Sequence, residues 1–123
     1  MTWLMVAIGG AAGSVLRFAV SMSVSRWAGN PVPAATAIVN LAGCAVAGTL
    51  LGLSAGSRLA LTPSQRALIF SGLLGGLTTF SGFGMDTLVL VQEGRGGTAL
   101  LNVTLQVMVG IAVLFACYRL TAS

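Results

Sequence analysis

The chain is predicted to be an all-α membrane protein with four transmembrane helices, the third of which is broken. Its 123 residues are 56% hydrophobic and only 7% charged, whereas a soluble domain carries about 25% charged residues. Four apolar stretches each approach or exceed the ~20 residues that a spanning helix needs. They form a single transmembrane domain and lie at about 3–23, 34–55, 64–91 and 98–118.

The first stretch contains Arg17 inside its apolar run and has no basic residues before it. This pattern favours a retained helix over a cleaved signal peptide. Arg17 has two interpretations. Its side chain can extend to the membrane interface, or it can form a vestibule that concentrates anions.

The second stretch places Asn40 among apolar residues. An amide in this position needs a partner, and an interhelical hydrogen bond is the structural interpretation. In the functional interpretation Asn40 faces a pore, where its two N–H donors suit an anion.

Short connections at about 25–33, 54–62 and 92–97 separate the helices. Before the third stretch, Thr62 and Gln65 have the spacing of a capping box, with Pro63 at the first helical position. Glycine pairs at four-residue spacing in the first three stretches favour close helix packing. They are Gly9 and Gly13, Gly48 and Gly52, and Gly72 and Gly76.

The third stretch is interrupted near its middle by glycines followed by hydroxyl side chains, which are poor choices for a continuous membrane helix. Irregular backbone at membrane depth is tolerated where protein buries it or where it lines a wet cavity. We expect one half-helix to end near Gly75, where unpaired carbonyls suit Na⁺. The next is expected to begin near 78–81 and to present N–H groups that suit an anion.

Phe80 and Phe83 follow this break and share a helix face. Most pairs at this spacing serve packing. An aromatic ring nevertheless has an electropositive edge, which can coordinate a small anion. The pair therefore has both a structural and an ion-binding interpretation.

Polar residues also mark the rest of the third and fourth stretches. Asp86 is the only acidic residue well inside an apolar stretch, and it serves either proton coupling or a structural role. Asn102 and Gln106 lie four residues apart on the fourth helix, with Gly110 on the same face. This stripe either joins helices or lines a path.

The arginines are nearly balanced between the two sides of the membrane. Arg58, Arg66 and Arg119 fall on the side of the termini, and Arg26 and Arg95 fall on the other, with Arg17 nearer that end. Because orientation follows from an imbalance of basic residues, the sequence suggests dual topology with antiparallel pairing. One fixed orientation set by weak signals is the alternative. A bundle of this size is also too small to enclose a pore, which favours conduction at an oligomer interface.

Enzymatic activity is not expected, because the chain has no His and no visible nucleophile–base set. Cys44 and Cys117 lie far apart in apolar stretches, where free, inert thiols are expected. Dispersed arginines form no basic patch for nucleic acid.

The chain resembles the small bacterial fluoride channels of the CrcB/Fluc family over nearly its whole length. The resemblance rests on the first-helix run Gly9-Gly10-Ala11-Ala12-Gly13 with Arg17, and on Asn40 with Gly43. Its most specific part is the third-helix run Gly75-Gly76-Leu77-Thr78-Thr79-Phe80-Ser81 with Phe83.

The resemblance implies an antiparallel, dual-topology homodimer in the cell inner membrane, with a structural Na⁺ at its centre. It implies that the carbonyls of Gly75 and Thr78 hold Na⁺ and that Arg17 lies in the vestibule. The fluoride path would be lined by five side chains, those of Asn40, Phe80, Ser81, Phe83 and Gln106.

The chain departs from the family pattern at three positions. Gly82 stands where the family usually has Thr, Asp86 where it has Glu, and Gln106 where it commonly has Ser. The change at Gly82 removes a hydroxyl, and the change at Gln106 introduces a longer amide. The departures therefore bear on conduction and selectivity rather than on the fold.

The resulting prediction is a fluoride-selective channel that passively exports cytoplasmic fluoride. A proton-coupled exporter of ions or small molecules that uses Asp86 is the alternative. A purely structural membrane subunit is a third interpretation, which does not account for a polar break flanked by phenylalanines.

Overall fold

A computed structural model describes residues 1–28 and 33–123, and its regular structure over these residues is entirely helical. Helix α1 is Thr2–Ala28, and α2 is Ala34–Ala55. The third span, Pro63–Gln92, has two halves, which we call α3 (63–77) and α4 (Phe80–Gln92), and α5 is Gly96–Ala122. These four spans are long and apolar enough to cross a membrane, which confirms the predicted all-α fold with four spans.

Two helices are longer than the sequence pattern predicted, whereas α2 has the predicted bounds, 34–55. Helix α1 continues to Ala28 instead of ending near residue 23, and α5 starts at Gly96 and ends at Ala122. Hydropathy identifies only the apolar part of a helix, whereas the hydrogen-bonded helix continues into the more polar residues at its ends. The first predicted connection therefore overlaps α1, and its positions 29–32 lie outside the described residues.

The third span begins with the predicted capping box. The Thr62 hydroxyl accepts from the Gln65 backbone N–H at 3.3 Å, and the Gln65 side chain accepts from the Thr62 N–H at 2.9 Å. The next segment, Ala67–Leu74, is π-helical rather than α-helical. The π-helix is rare overall, but where it occurs it often lies near a functional site. Helical backbone then continues through Gly75–Leu77.

The predicted break in the third span is confirmed, but the predicted end of its first half near Gly75 is wrong. Gly75 has ordinary helical angles, φ −62° and ψ −36°. The backbone first becomes extended at Thr78, with φ −80° and ψ 156°. Two consecutive β-branched threonines, which favour extended backbone, therefore lie at the break, at positions 78 and 79.

Close packing at glycines joins the spans in two pairs, α1 with α3 and α2 with α5. A Cβ atom built on Gly76 would lie 2.5 Å from the carbonyl oxygen of Gly10 on α1. One built on Gly52 would lie 2.5 Å from the Tyr118 carbonyl oxygen on α5. The four-residue glycine spacing therefore does mark close helix contacts, as predicted.

The core lies beside the break. Val39 of α2 and Leu74 and Leu77 of α3 form a buried apolar cluster, which fixes the end of α3 against α2. Many large apolar side chains elsewhere, including Trp3, Phe80 and Phe115, are exposed. Such an apolar surface is expected where lipid or another subunit covers a helix.

Candidate functional site

At the break, the side chain of Thr79 caps the helix that follows. Thr79 is extended, with φ −152° and ψ 113°, and its hydroxyl accepts from the Gly82 backbone N–H at 3.0 Å. Thr79 is therefore the N-cap of α4, and the Ser81 hydroxyl lies 3.2 Å from its oxygen. The sequence did not single out Thr79, although a Thr before an apolar helix is a usual cap.

The two carbonyls predicted to bind Na⁺ lose their usual helical partners at this break. In a continuous helix the Gly75 carbonyl would accept from the Thr79 N–H, and the Thr78 carbonyl from the Gly82 N–H. Here the Thr79 N–H donates to Asn40 Oδ1 at 2.8 Å, and the Gly82 N–H donates to the Thr79 hydroxyl. The break thus releases both carbonyls, which is what a backbone cation site requires.

Asn40 is tied to the break by two hydrogen bonds. Its Oδ1 accepts from the Thr79 N–H, and its Nδ2 donates to the Thr79 carbonyl at 3.2 Å. Nδ2 also donates to Gln106 Oε1 at 2.6 Å. The interhelical hydrogen bond that the sequence offered as one interpretation of Asn40 is therefore present, and both of its amide hydrogens are in use.

A line of hydrogen bonds continues from Gln106 to α4. Gln106 Nε2 donates to Asn102 Oδ1 at 2.6 Å, and Asn102 Nδ2 donates to Thr87 Oγ1 at 2.9 Å. The Thr87 hydroxyl in turn donates to the Phe83 carbonyl at 2.8 Å. We call these four side chains, Asn40, Gln106, Asn102 and Thr87, the amide relay.

Sequence reasoning found only part of the relay. The four-residue spacing identified Asn102 and Gln106 as one polar stripe, and the structure shows that the stripe joins α5 to both α2 and α4. Thr87 was missed. It looks like one of many helix threonines whose hydroxyl bonds to the preceding turn, and only the packing of α4 on α5 brings it to Asn102.

A first cavity of about 450 Å³ opens beside the break. Its wall is mostly apolar, and it brings together six of the predicted site residues: Asn40, Gly75, Thr78, Phe80, Phe83 and Gln106. The rings of Phe80 and Phe83 meet at 5.4 Å between centroids with a 46° tilt. Phe80 is 83% exposed, so this cavity has a ring at its open side.

A second cavity of about 500 Å³ also borders the break. It holds the remaining predicted residues, Arg17 and Ser81, together with Asp86. Hydroxyl-bearing residues Ser14, Ser21 and Thr36 also line it, and Thr79 belongs to both cavities. The predicted site residues therefore divide into two groups that meet at Thr79.

The chemistry of the two cavities differs. The first is lined by neutral amides and phenylalanine rings, whereas the second has one cationic and one anionic side chain. Among the described residues, no group of three or more His, Cys, Asp or Glu side chains could hold a metal ion.

Comparison with known proteins identifies the family of this chain. The family model described as CrcB-like protein, Camphor Resistance (CrcB), matches residues 4–118. The chain belongs to the CrcB family. The match includes most or all of each of the four spans, and this CrcB-family protein is a multi-pass membrane protein.

Several curated relatives carry the name fluoride-specific ion channel FluC. The protein of Methylobacillus flagellatus is 41% identical over 120 residues, covering 95% of this chain and 91% of the relative. That of Aeromonas salmonicida is 38% identical over 122 residues, covering 99% and 97%. That of Pseudoalteromonas translucida is 45% identical over 107 residues, covering 87% and 88%.

Proposed function

We propose that this CrcB-family protein is a fluoride-selective channel that lets cytoplasmic fluoride leave the cell passively. One observation carries the proposal: the break in the third span, an amide pair and two phenylalanines meet at a single mostly apolar cavity. The names of the relatives point to the same ion. The protein is accordingly a channel and not an enzyme.

Fluoride is small and strongly hydrated, so a path for it must replace water with closely spaced donors. The amide pair Asn40 and Gln106 lines the first cavity, and Gln106 keeps one N–H that no other described residue accepts. The ring edges of Phe80 and Phe83 carry partial positive charge. Several moderate sites in sequence allow an ion both to enter and to leave. The Ser81 hydroxyl would extend this path beyond the break.

We also propose that the carbonyls of Gly75 and Thr78 hold a structural Na⁺ at the centre of a homodimer. The diversion of the Thr79 and Gly82 amides to other acceptors supports this assignment. A bound Na⁺ supplies fixed positive charge and a link between subunits. The protein contributes the extended backbone at Thr78 and Thr79, which takes from both carbonyls the N–H donors of a continuous helix.

The proposed dimer is antiparallel, with copies inserted in both orientations in the cell inner membrane. The near balance of arginines across the membrane supports dual topology. The exposed Phe80 ring beside the first cavity supports completion of the path by a second subunit, since one copy leaves that wall open.

Arg17 is proposed to form the vestibule. Arg17 is half-buried and lines the second cavity with Ser81, and Thr79 separates this cavity from the first. A cation in this position raises the local concentration of anions at the mouth of the path.

A proton-coupled exporter that uses Asp86 is the second candidate, because Asp86 lines the second cavity together with Arg17. This reading requires that flux follow a proton gradient and stop in Asp86→Asn. The channel proposal instead expects Asp86→Asn to conduct fluoride in the absence of a pH gradient.

The deciding experiment is ion efflux from liposomes that contain the purified protein, measured with a fluoride electrode and, separately, a chloride electrode. We expect fast fluoride release that does not depend on a pH gradient, with negligible chloride release. Protein-free liposomes are the control. Fluoride release only under a proton gradient would support the exporter, and no release of either ion would leave a structural subunit.

A further inference from the structure

We propose that Asn102 and Thr87 are positioning residues for the anion path, because they hold Gln106 with one amide N–H free to face the first cavity. This inference rests on the proposed channel function. It assigns a role to two residues outside that path and identifies which atom of the relay meets the ion.

The backbone of Thr79 fixes the direction of the relay at one end. A backbone N–H can only donate and a carbonyl can only accept, so Oδ1 of Asn40 must face the Thr79 nitrogen and Nδ2 its carbonyl. The second Nδ2 hydrogen goes to Gln106 at 2.6 Å. Gln106 must therefore turn Oε1 toward Asn40 and Nε2 toward Asn102.

Thr87 fixes the direction at the other end. Its hydroxyl hydrogen is used by the Phe83 carbonyl at 2.8 Å, so toward Asn102 its oxygen can only accept. Asn102 must then donate Nδ2 to Thr87 and turn Oδ1 to Gln106 Nε2. If the Gln106 amide were reversed, its Nε2 would face the donor Nδ2 of Asn40, and its Oε1 would face the acceptor Oδ1 of Asn102.

The count of amide hydrogens identifies the donor to the ion. Both hydrogens of Asn40 Nδ2 are in use, whereas Gln106 Nε2 uses one and keeps the other. Gln106 lines the first cavity, but Asn102 is 4% exposed and does not line it. Asn102 and Thr87 therefore act on the ion only through Gln106.

Selectivity for a small ion should depend on this orientation. A Gln106 amide held at both ends presents its N–H at a fixed place, which suits fluoride. Without Asn102 or the Thr87 acceptor, the amide can rotate, and its oxygen then repels an anion. A donor of variable position also discriminates less between small and large anions.

The test compares Thr87→Val, which has nearly the same shape but no hydroxyl, with Thr87→Ser, which retains it. Each full-length protein is placed in liposomes, and fluoride efflux and the fluoride-to-chloride permeability ratio are measured. We expect Thr87→Val to lower fluoride efflux about fivefold to tenfold, the factor for losing one ordinary hydrogen bond. Thr87→Val should also lower the fluoride-to-chloride permeability ratio. Thr87→Ser should have nearly the efflux and the permeability ratio of the wild type.

Asn102→Leu should reproduce the Thr87→Val result, and it serves as the second variant if Thr87→Val does not fold. Thr104→Val, at an exposed threonine of α5 outside the relay, is the matched control. Wild-type efflux and ratio in Thr87→Val and Asn102→Leu would overturn the inference. So would lower efflux with an unchanged ratio, since fewer intact channels would explain it. Absence of fluoride efflux from the wild type would instead overturn the channel function itself.

Discussion

The carboxamide of Asn40 pairs with the backbone of Thr79 in both directions, accepting from its N–H at 2.8 Å and donating to its carbonyl at 3.2 Å. In this way α2 supplies the hydrogen bonds that a continuous third helix would have made for itself. The pairing satisfies extended backbone at membrane depth, where water is excluded. It also releases the Gly75 carbonyl, because the Thr79 amide is no longer available to it.

The first prediction concerns this pairing. Asn40→Leu leaves the Thr79 N–H and carbonyl without these partners and should lower the free energy of unfolding by about 1–3 kcal/mol. Denaturant unfolding of the protein in detergent micelles measures this change. Val46→Leu, at a partly exposed position on the same helix, is the control. Equal stability of Asn40→Leu and wild type would show that the pairing contributes little.

The second prediction concerns the ring edge of Phe80. Phe80→Ile keeps apolar bulk but removes the electropositive edge, so fluoride efflux should fall. The ring is 83% exposed, and the unfolding midpoint of the monomer should therefore change little. Phe115→Ile, at a ring 60% exposed on α5, should conduct normally. Wild-type efflux from Phe80→Ile would count against coordination by the ring edge.

The third prediction tests the close contact between α1 and α3. A Cβ atom on Gly13 would lie 2.8 Å from the Leu77 nitrogen, so Gly13→Ala should push these helices apart. The expected loss is about 1–3 kcal/mol, typical of overpacking. Gly84→Ala is the matched control, since nothing lies within 4 Å of its Cβ position. Equal melting temperatures for Gly13→Ala and Gly84→Ala would contradict a close contact at Gly13.

The fourth prediction concerns the proposed Na⁺. If Na⁺ binds only the folded dimer, the melting temperature should rise with Na⁺ concentration and then level off. Replacing Na⁺ with a large organic cation should lower it. Thr78→Ser should keep this dependence, because the proposed contact uses the backbone carbonyl. A melting temperature that does not depend on Na⁺ concentration would contradict the proposal of a structural Na⁺.

The fifth prediction concerns the vestibule. Arg17→Gln should lower fluoride efflux at low ionic strength and have a smaller effect at high ionic strength, because salt screens charges over about 10 Å at 0.1 M. Arg17→Lys keeps the charge and should conduct nearly as the wild type does. A salt-independent loss in Arg17→Gln would point to a packing role for the side chain.

The capping box and the glycine contacts show which features can be predicted from local pattern. Thr62 and Gln65 needed only their three-residue spacing. The glycine pairs needed only a helical period, and packing then used them as expected. Such features depend on residues that are close in sequence, so neighbouring residues alone reveal them.

The exact place of the break could not be predicted in this way. The glycines suggested an end near Gly75, yet Gly75 is helical and Thr78 is the first extended residue. Intrinsic propensity alone does not decide this place, because the partner of the Thr79 backbone lies 39 residues away on α2. A distant side chain that pairs with backbone is not visible in local sequence.

The sequence by itself determined a four-span helical membrane protein with a polar interruption in its third span, because apolar length and hydroxyl placement are local properties. Tertiary structure decided which polar groups meet. It separated Arg17 and Ser81 from the amide pair, and it brought Thr87 to Asn102. The physical reason is that amide orientation depends on a chain of hydrogen bonds across three helices, which exists only once those helices are packed.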